Sequence, residues 1–161
     1  MKRVEGNTGV KLAECVNPVK NKWRIRWDVQ EGENGTASYM EHEFDHKPTG
    51  EEVRSVVITW YNGRIDSEIL SGFCYNGVQV WLSSENQFNY KSAYDLAIQT
   101  GGDTLPVTFK FGTDTDPHYH TFETLNELTD FYIKAMKHIQ TVLADGWKKK
   151  DAFDLEQYRI K

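Results

Sequence analysis

One dipeptide constrains this chain more than any other feature. Asn76-Gly77 stands between Phe73-Cys74-Tyr75 and Val78-Gln79-Val80-Trp81-Leu82. A two-residue type I′ reversal needs positive φ at both central positions, which Asn and Gly tolerate, and the flanking apolar runs supply the strands. The stretch therefore reads as a tight β-hairpin. Ser83 or Ser84 then caps a helix across Glu85–Gln99 whose apolar side is Phe88, Ala93, Tyr94, Ala97 and Ile98, and Gly101-Gly102 stops it. A hairpin handing the chain to a helix is the building unit.

The unit recurs on both sides. Upstream, Trp23-Arg24-Ile25-Arg26-Trp27 alternates with period two, Gln30 to Thr36 turns, and Ala37 to Phe44 alternates again. If these strands pair, Arg24 and Arg26 face Glu41 and Glu43, at about 0.2–1 kcal/mol per opposite-charge pair. Thr49 and Glu52 form a capping box ahead of Val53, Val56, Val57, Trp60 and Tyr61 at helical spacing. Asn62-Gly63 is expected to end that helix, with a second short helical turn around Asp66–Leu70. Downstream, Leu105, Val107, Phe109 and Phe111 alternate, Gly112–Pro117 turns, and His118–Phe122 returns. Thr124 and Glu127 then cap a long helix through Leu125, Leu128, Phe131, Tyr132, Met136, Ile139, Val142 and Leu143. Ala152–Lys161 reads as a short tail docked through Phe153, Leu155 and Tyr158.

The expected fold class is thus α+β, three successive hairpin-then-helix units (ββα-ββα-ββα) around one core with a long C-terminal helix. Residues 1–161 are expected to form a single domain: a loose basic arm over 1–22, a first hairpin and helix over 23–70, and a ββαββα region over 71–161. A chain of 161 residues can bury about 68–70% of its unfolded surface, so it needs neither metal nor disulfide to fold. Cys15 and Cys74 form no disulfide framework, which points to a reducing cytoplasm. Residues 1–21 hold no apolar h-region and no run approaches the ~18 residues of a membrane span. The net charge of −5 makes nucleic acid an unlikely partner, because phosphate contacts need clustered Lys and Arg. The basic start (Lys2, Arg3, Lys11, Lys20, Lys22, Arg24, Arg26) has two readings, an acidic partner or the chain's own acidic body.

Catalytic signatures are sparse. There is no GxSxG, phosphate-loop or GxGxxG pattern. Cys74 sits in a hairpin strand, where packing rather than nucleophilic chemistry is expected. His118 and His120, two apart on a strand, share a face with Asp116 close by, so the three are weak metal-ligand candidates; the alternative is hydrogen-bonded or surface histidines, as for His42 and His46. Among five tryptophans, Trp81, Trp23 and Trp27 are the candidates for contact with a partner or ligand, against the alternative of core burial. Trp81 leads because Val78, Val80 and Leu82 claim the opposite face of its strand.

From Gly72 to Ala152 the chain reads GFCYNGVQVWLSSENQFNYKSAYDLA, then LPVTFKFG, then YHTFETLNELTDFYIKAMKHIQTVLADGW. This resembles a small domain of unknown function found in tailed-phage and prophage proteins, often near tail-fibre genes, and is most like its Bacteroidetes-type members. The shared features fall on Gly77, Ser83–Gln87, Leu105–Phe111, Thr121–Leu128 and His138. The resemblance implies a non-enzymatic structural or assembly protein, tail-associated, whose partners are other phage structural proteins or further copies of itself. It implies no cofactor and transfers no catalytic residue. The location it implies is the cytoplasm of a bacterial host, or the virion. Two other readings stand beside it: a small-ligand or carbohydrate-binding module using exposed aromatics, and a metal-dependent enzyme using His118, His120 and Asp116.

Overall fold

A computed structural model describes residues 1–159. The chain runs β1 (Lys2–Asn7), β2 (Ala13–Asn17), β3 (Lys22–Glu31), β4 (Thr36–Phe44), α1 (Gly50–Ser71), β5 (Phe73–Tyr75), β6 (Val78–Val80), α2 (Ser84–Gln99), β7 (Val107–Gly112), β8 (Pro117–Phe122) and α3 (Leu125–Asp151). Short 3-10 turns stand at Glu33–Gly35 and Leu155–Tyr158. The class is α+β, and the three hairpin–helix successions follow in the expected order. The expected tail packs through Phe153 and Tyr158, whose rings lie 5.3 Å apart; its last two positions, Ile160 and Lys161, lie outside the described residues.

Two expectations are corrected. Residues 1–22 are no loose arm: β1 and β2 are the outer strands of a four-stranded antiparallel sheet ordered β1-β4-β3-β2. An edge strand with solvent on most sides needs no apolar alternation, so β1 carries no period-two signal, yet its backbone pairs with β4 from Lys2↔Glu41 to Asn7↔Thr36. Second, Asn62-Gly63 does not end a helix. Gly63 has no left-handed φ, and α1 runs on through Ile65, which is buried, and Ile69, which packs against buried residues. That burial outweighs a mid-helix glycine, a cost of about 1 kcal/mol. The chain divides into two compact units, Met1–Trp60 with the stretch beginning at Lys150, and Tyr61–Lys149. The two added strands give the first unit enough sheet to bury the start of α1 by itself.

In the first unit, period two separates two chemistries. Trp27↔Met40, Ile25↔His42 and Trp23↔Phe44 pair across β3 and β4. Trp27 meets Trp60 of α1 edge-on at 6.0 Å, and Val53 and Val57 are buried with them. The alternate positions pair Arg24↔Glu43 and Arg26↔Glu41, as the sequence anticipates. The capping box at the start of α1 is formed: Thr49 N–H donates to Glu52 Oε2 at 2.8 Å, and Glu52 N–H donates to Thr49 Oγ1 at 3.3 Å. Tyr158 donates its hydroxyl hydrogen to the Arg26 carbonyl at 2.9 Å, which ties the tail to β3.

The second unit is organised by aromatic rings. Asn76 (φ 50) and Gly77 (φ 80) make the expected reversal between β5 and β6. Ser83 caps α2 through the Asn86 N–H at 3.2 Å. Gly101 (φ 65) ends α2 in a Schellman motif: the Gly102 N–H reaches the Ala97 carbonyl at 2.8 Å and the Gly101 N–H reaches Ile98 at 3.2 Å. Phe131 of α3, fully buried, is the hub, with Tyr75, Tyr90, Phe111 and Phe122 all within 5.3 Å between ring centroids. At Gly146 the close packing of α3 on α1 leaves no room for a β-carbon, which would overlap the Ile65 side chain.

Candidate functional site

The side chains with chemistry to offer fall into two polar clusters and one apolar surface. In the first unit, Glu41 Oε2 accepts from Arg26 Nε at 3.2 Å and lies 3.3 Å from Arg24 Nε, in a geometry that makes no hydrogen bond to the latter. Arg26 also reaches Glu14 Oε1 at 2.6 Å and the Lys11 carbonyl at 2.8 Å, and its guanidinium lies over the Tyr39 ring. Arg26 and Glu41 are buried. The hydrogen bond with Glu43 raises the Arg24 pKa and lowers that of Glu43. Every charge here is matched by another, which is the arrangement of a structural network rather than of a site awaiting substrate.

In the second unit, the Tyr75 hydroxyl donates to Asp130 Oδ2 at 3.1 Å, the Lys134 ammonium donates to the same oxygen at 2.7 Å, and Lys134 lies over the Tyr75 ring. Burial, together with Asp130, pushes the Tyr75 phenol up to about 12. Lys134 holds Asp130 below the usual carboxylate range. A tyrosine so held stays protonated at neutral pH and is a donor, not a base or nucleophile.

The histidines take up packing positions. His120 is half-buried, with its ring 4.5 Å from Phe122, 5.6 Å from Tyr75 and 5.8 Å from Phe111. His118 and Asp116 are exposed. Among the described residues no group of three or more His, Cys, Asp or Glu side chains is placed to hold a metal ion, so the three candidate ligands are not gathered into a site. His42 lies edge-on to Phe44, and its pKa is lowered by desolvation. His46 Nε2 pairs with Glu52 Oε1 at 2.8 Å. The Thr49 backbone N–H, His46 and the Thr49 hydroxyl together bring the Glu52 carboxyl down to about 2.

The tryptophan candidates separate. Trp27 is 2% exposed and is no contact surface. Trp23 is engaged by its own chain: its indole N–H donates to Asn21 Oδ1 at 2.9 Å and Lys47 lies over its ring. Trp81 is 47% exposed, while the neighbouring Val80 and Leu82 are buried. It stands between β6 and α2, with its carbonyl accepting from Asn86 Nδ2 at 2.8 Å.

Beside Trp81, α2 departs from the sequence reading. Phe88 and Ile98 were assigned to its core side, yet Phe88 is 69% exposed and Ile98 is exposed too, as is Leu96. The buried positions are Tyr90 and Ala97. At ~100° per residue, Phe88 lies opposite them. The clue in the sequence was the spread: apolar residues at 88, 90, 93, 94, 96, 97 and 98 are too many for one stripe. Trp81 and the outward side of α2 form the candidate contact surface.

The family model of a domain of unknown function (DUF4376) matches residues 52–160. No curated protein and no solved structure matches the chain. No helix among the described residues is long and apolar enough to cross a membrane.

Proposed function

The chain belongs to the DUF4376 family, and from that premise we propose that it is a non-enzymatic phage or prophage protein, of Bacteroidetes type, that works by protein–protein contact in building or completing the tail. It acts in the host cytoplasm during assembly, or within the virion, and needs no cofactor. One observation carries the reading: α2 leaves three large apolar side chains, Phe88, Leu96 and Ile98, uncovered by the chain's own core. Here Tyr90 and Ala97 are covered by the chain itself, while Phe88, Leu96 and Ile98 are left in solvent. A partner surface covering Phe88 and Trp81 would remove the largest single part of that exposure. The Gly72–Ala152 resemblance supplies the identity of the partner class.

The test is capture of purified tail and baseplate proteins, encoded beside this gene, by the full-length chain and by Phe88→Glu. The expected result is that at least one component binds the native chain and not the variant, whose circular dichroism is unchanged. A native chain that ignores every tail component would overturn the reading.

Trp81 favours a second reading, a small-ligand or carbohydrate module, because one face of a half-exposed indole is available for stacking. A tryptophan fluorescence titration with glycans, absent in Trp81→Ala, would support it, and no response from the native protein would end it.

A further inference from the structure

Strand edges invite pairing with another chain unless they are short, charged, irregular or covered. Most edges here are guarded. β1 carries Lys2, Arg3 and Glu5. β2 carries Glu14 and a register irregularity between Cys15 and Asn17. β5 and β6 have three residues each.

β8 carries one such protection, Pro117 at its first position, which lacks a backbone N–H, and none along the five residues that follow. Its six residues, Pro117-His118-Tyr119-His120-Thr121-Phe122, include no Lys, Arg, Asp or Glu, and they pair with β7 without a register shift. β7 and β8 form a two-stranded sheet of their own, with β6 near β7 but not paired to it, so the far edge of β8 has no paired strand. Among the described residues, the backbone of 117–122 makes no hydrogen bond outside the β7 ladder. Its side chains are open as well: His118 and Thr121 are exposed, and Tyr119 is 67% exposed.

We propose that β8 is a self-association edge. A second copy of this chain lays its own β8 antiparallel against it, and two hairpins join into a four-stranded sheet about a twofold axis at Tyr119. The proposal deepens the contact reading above and rests on it. Three observations favour a second copy over a foreign strand. An axis on a residue keeps faces matched: Tyr119 meets its counterpart, His118 meets His120, and Pro117 meets Thr121, with no charged pair apposed. Lys110, across the ladder from Tyr119, is neutralised by Asp114 at 2.8 Å. An isologous pairing closes both unguarded edges at once, whereas a foreign strand would present a new open edge of its own. Two six-residue strands bury less than the ~1,200 Å² of a standard interface, so the dimer is weak and reversible.

Sedimentation equilibrium of the full chain over a wide concentration range tests this. A reversible monomer–dimer equilibrium is expected for the native protein. Tyr119→Lys, which sets two ammonium groups face to face at an exposed position, should weaken it about a hundredfold with unchanged circular dichroism, and Phe88→Glu should leave it intact. A native chain that stays monomeric, or a dimer indifferent to both Tyr119→Lys and Thr121→Lys, overturns the proposal. If Phe88→Glu alone dissolves the dimer, or if a strictly monomeric chain still captures a tail protein, the β8 assignment falls while the contact reading stands.

Discussion

Replacing Glu41 by Leu should cost the first unit about 3 kcal/mol, at the lower end of the range for breaking a buried ion pair from one side. Glu41 and the Arg26 it pairs with are both buried, so the loss leaves the Arg26 guanidinium in a site already stripped of water. The lower end applies because Arg26 keeps Glu14 at 2.6 Å and Arg24 keeps Glu43 at 2.5 Å. Glu43 on the same face is a useful comparison. It is 44% exposed and water can solvate what it leaves behind, so Glu43→Leu should cost far less than Glu41→Leu. The double variant Arg26→Met/Glu41→Leu should recover much of the single-variant loss, because an apolar pair of similar volume avoids the desolvation cost of two ions. Native-state amide exchange at Ile25 and Trp27 reports this unit separately from the other, and urea unfolding gives the global value. If Glu41→Leu proves no worse than Glu43→Leu, or the double variant is as damaging as the two single changes summed, the network is not organised by burial and the argument fails.

Two glycines within helices should respond oppositely to alanine. Gly63→Ala has nothing within 4 Å of the added carbon and should stabilise by about 0.5–1 kcal/mol, whereas Gly146→Ala must displace Ile65 and should destabilise by about 1–2 kcal/mol despite the same helix-propensity gain; thermal unfolding separates them. The carboxyl of Glu52 should titrate near 2 by carbon-detected NMR. Its folded pKa is depressed, so its stabilisation is present above the unfolded value and is lost as pH falls through 2; the stability difference between native chain and Glu52→Gln should vanish at that acid limit. Burial pushes the Tyr90 phenol up to about 12, so the unfolded chain loses that proton first and stability should fall as pH rises from 10 to 12, less steeply in Tyr90→Phe.

What the sequence disclosed follows from which signals are local. Asn76-Gly77, the Thr49/Glu52 and Thr124/Glu127 boxes and the Gly101-Gly102 stop each encode their geometry within a few residues, and each is found in place. The β3–β4 charge pairing was legible because period two and one turn fix the register. β1 was illegible for the converse reason: its evidence lies in the β4 backbone, from Glu41 opposite Lys2 to Thr36 opposite Asn7, not in its own side chains. Gly63 misled because an Asn-Gly pair is a stop only when the glycine turns left-handed, and Ile65 and Ile69 draw the chain onward as helix.

The misreading of α2 has a different origin. Periodicity reports that a side chain is too apolar for water, and the sequence reading supplied the chain's own core as the cover. Tyr90 and Ala97 take that cover; Phe88, on the opposite side of the helix, does not. A single exposed apolar residue needs no explanation. Phe88, Leu96 and Ile98 on one sixteen-residue helix, with half-exposed Trp81 leading into it, are harder to treat as scatter. In the contact proposal a second molecule is the cover, so the residues that defeat the sequence reading of α2 are the ones on which that proposal rests.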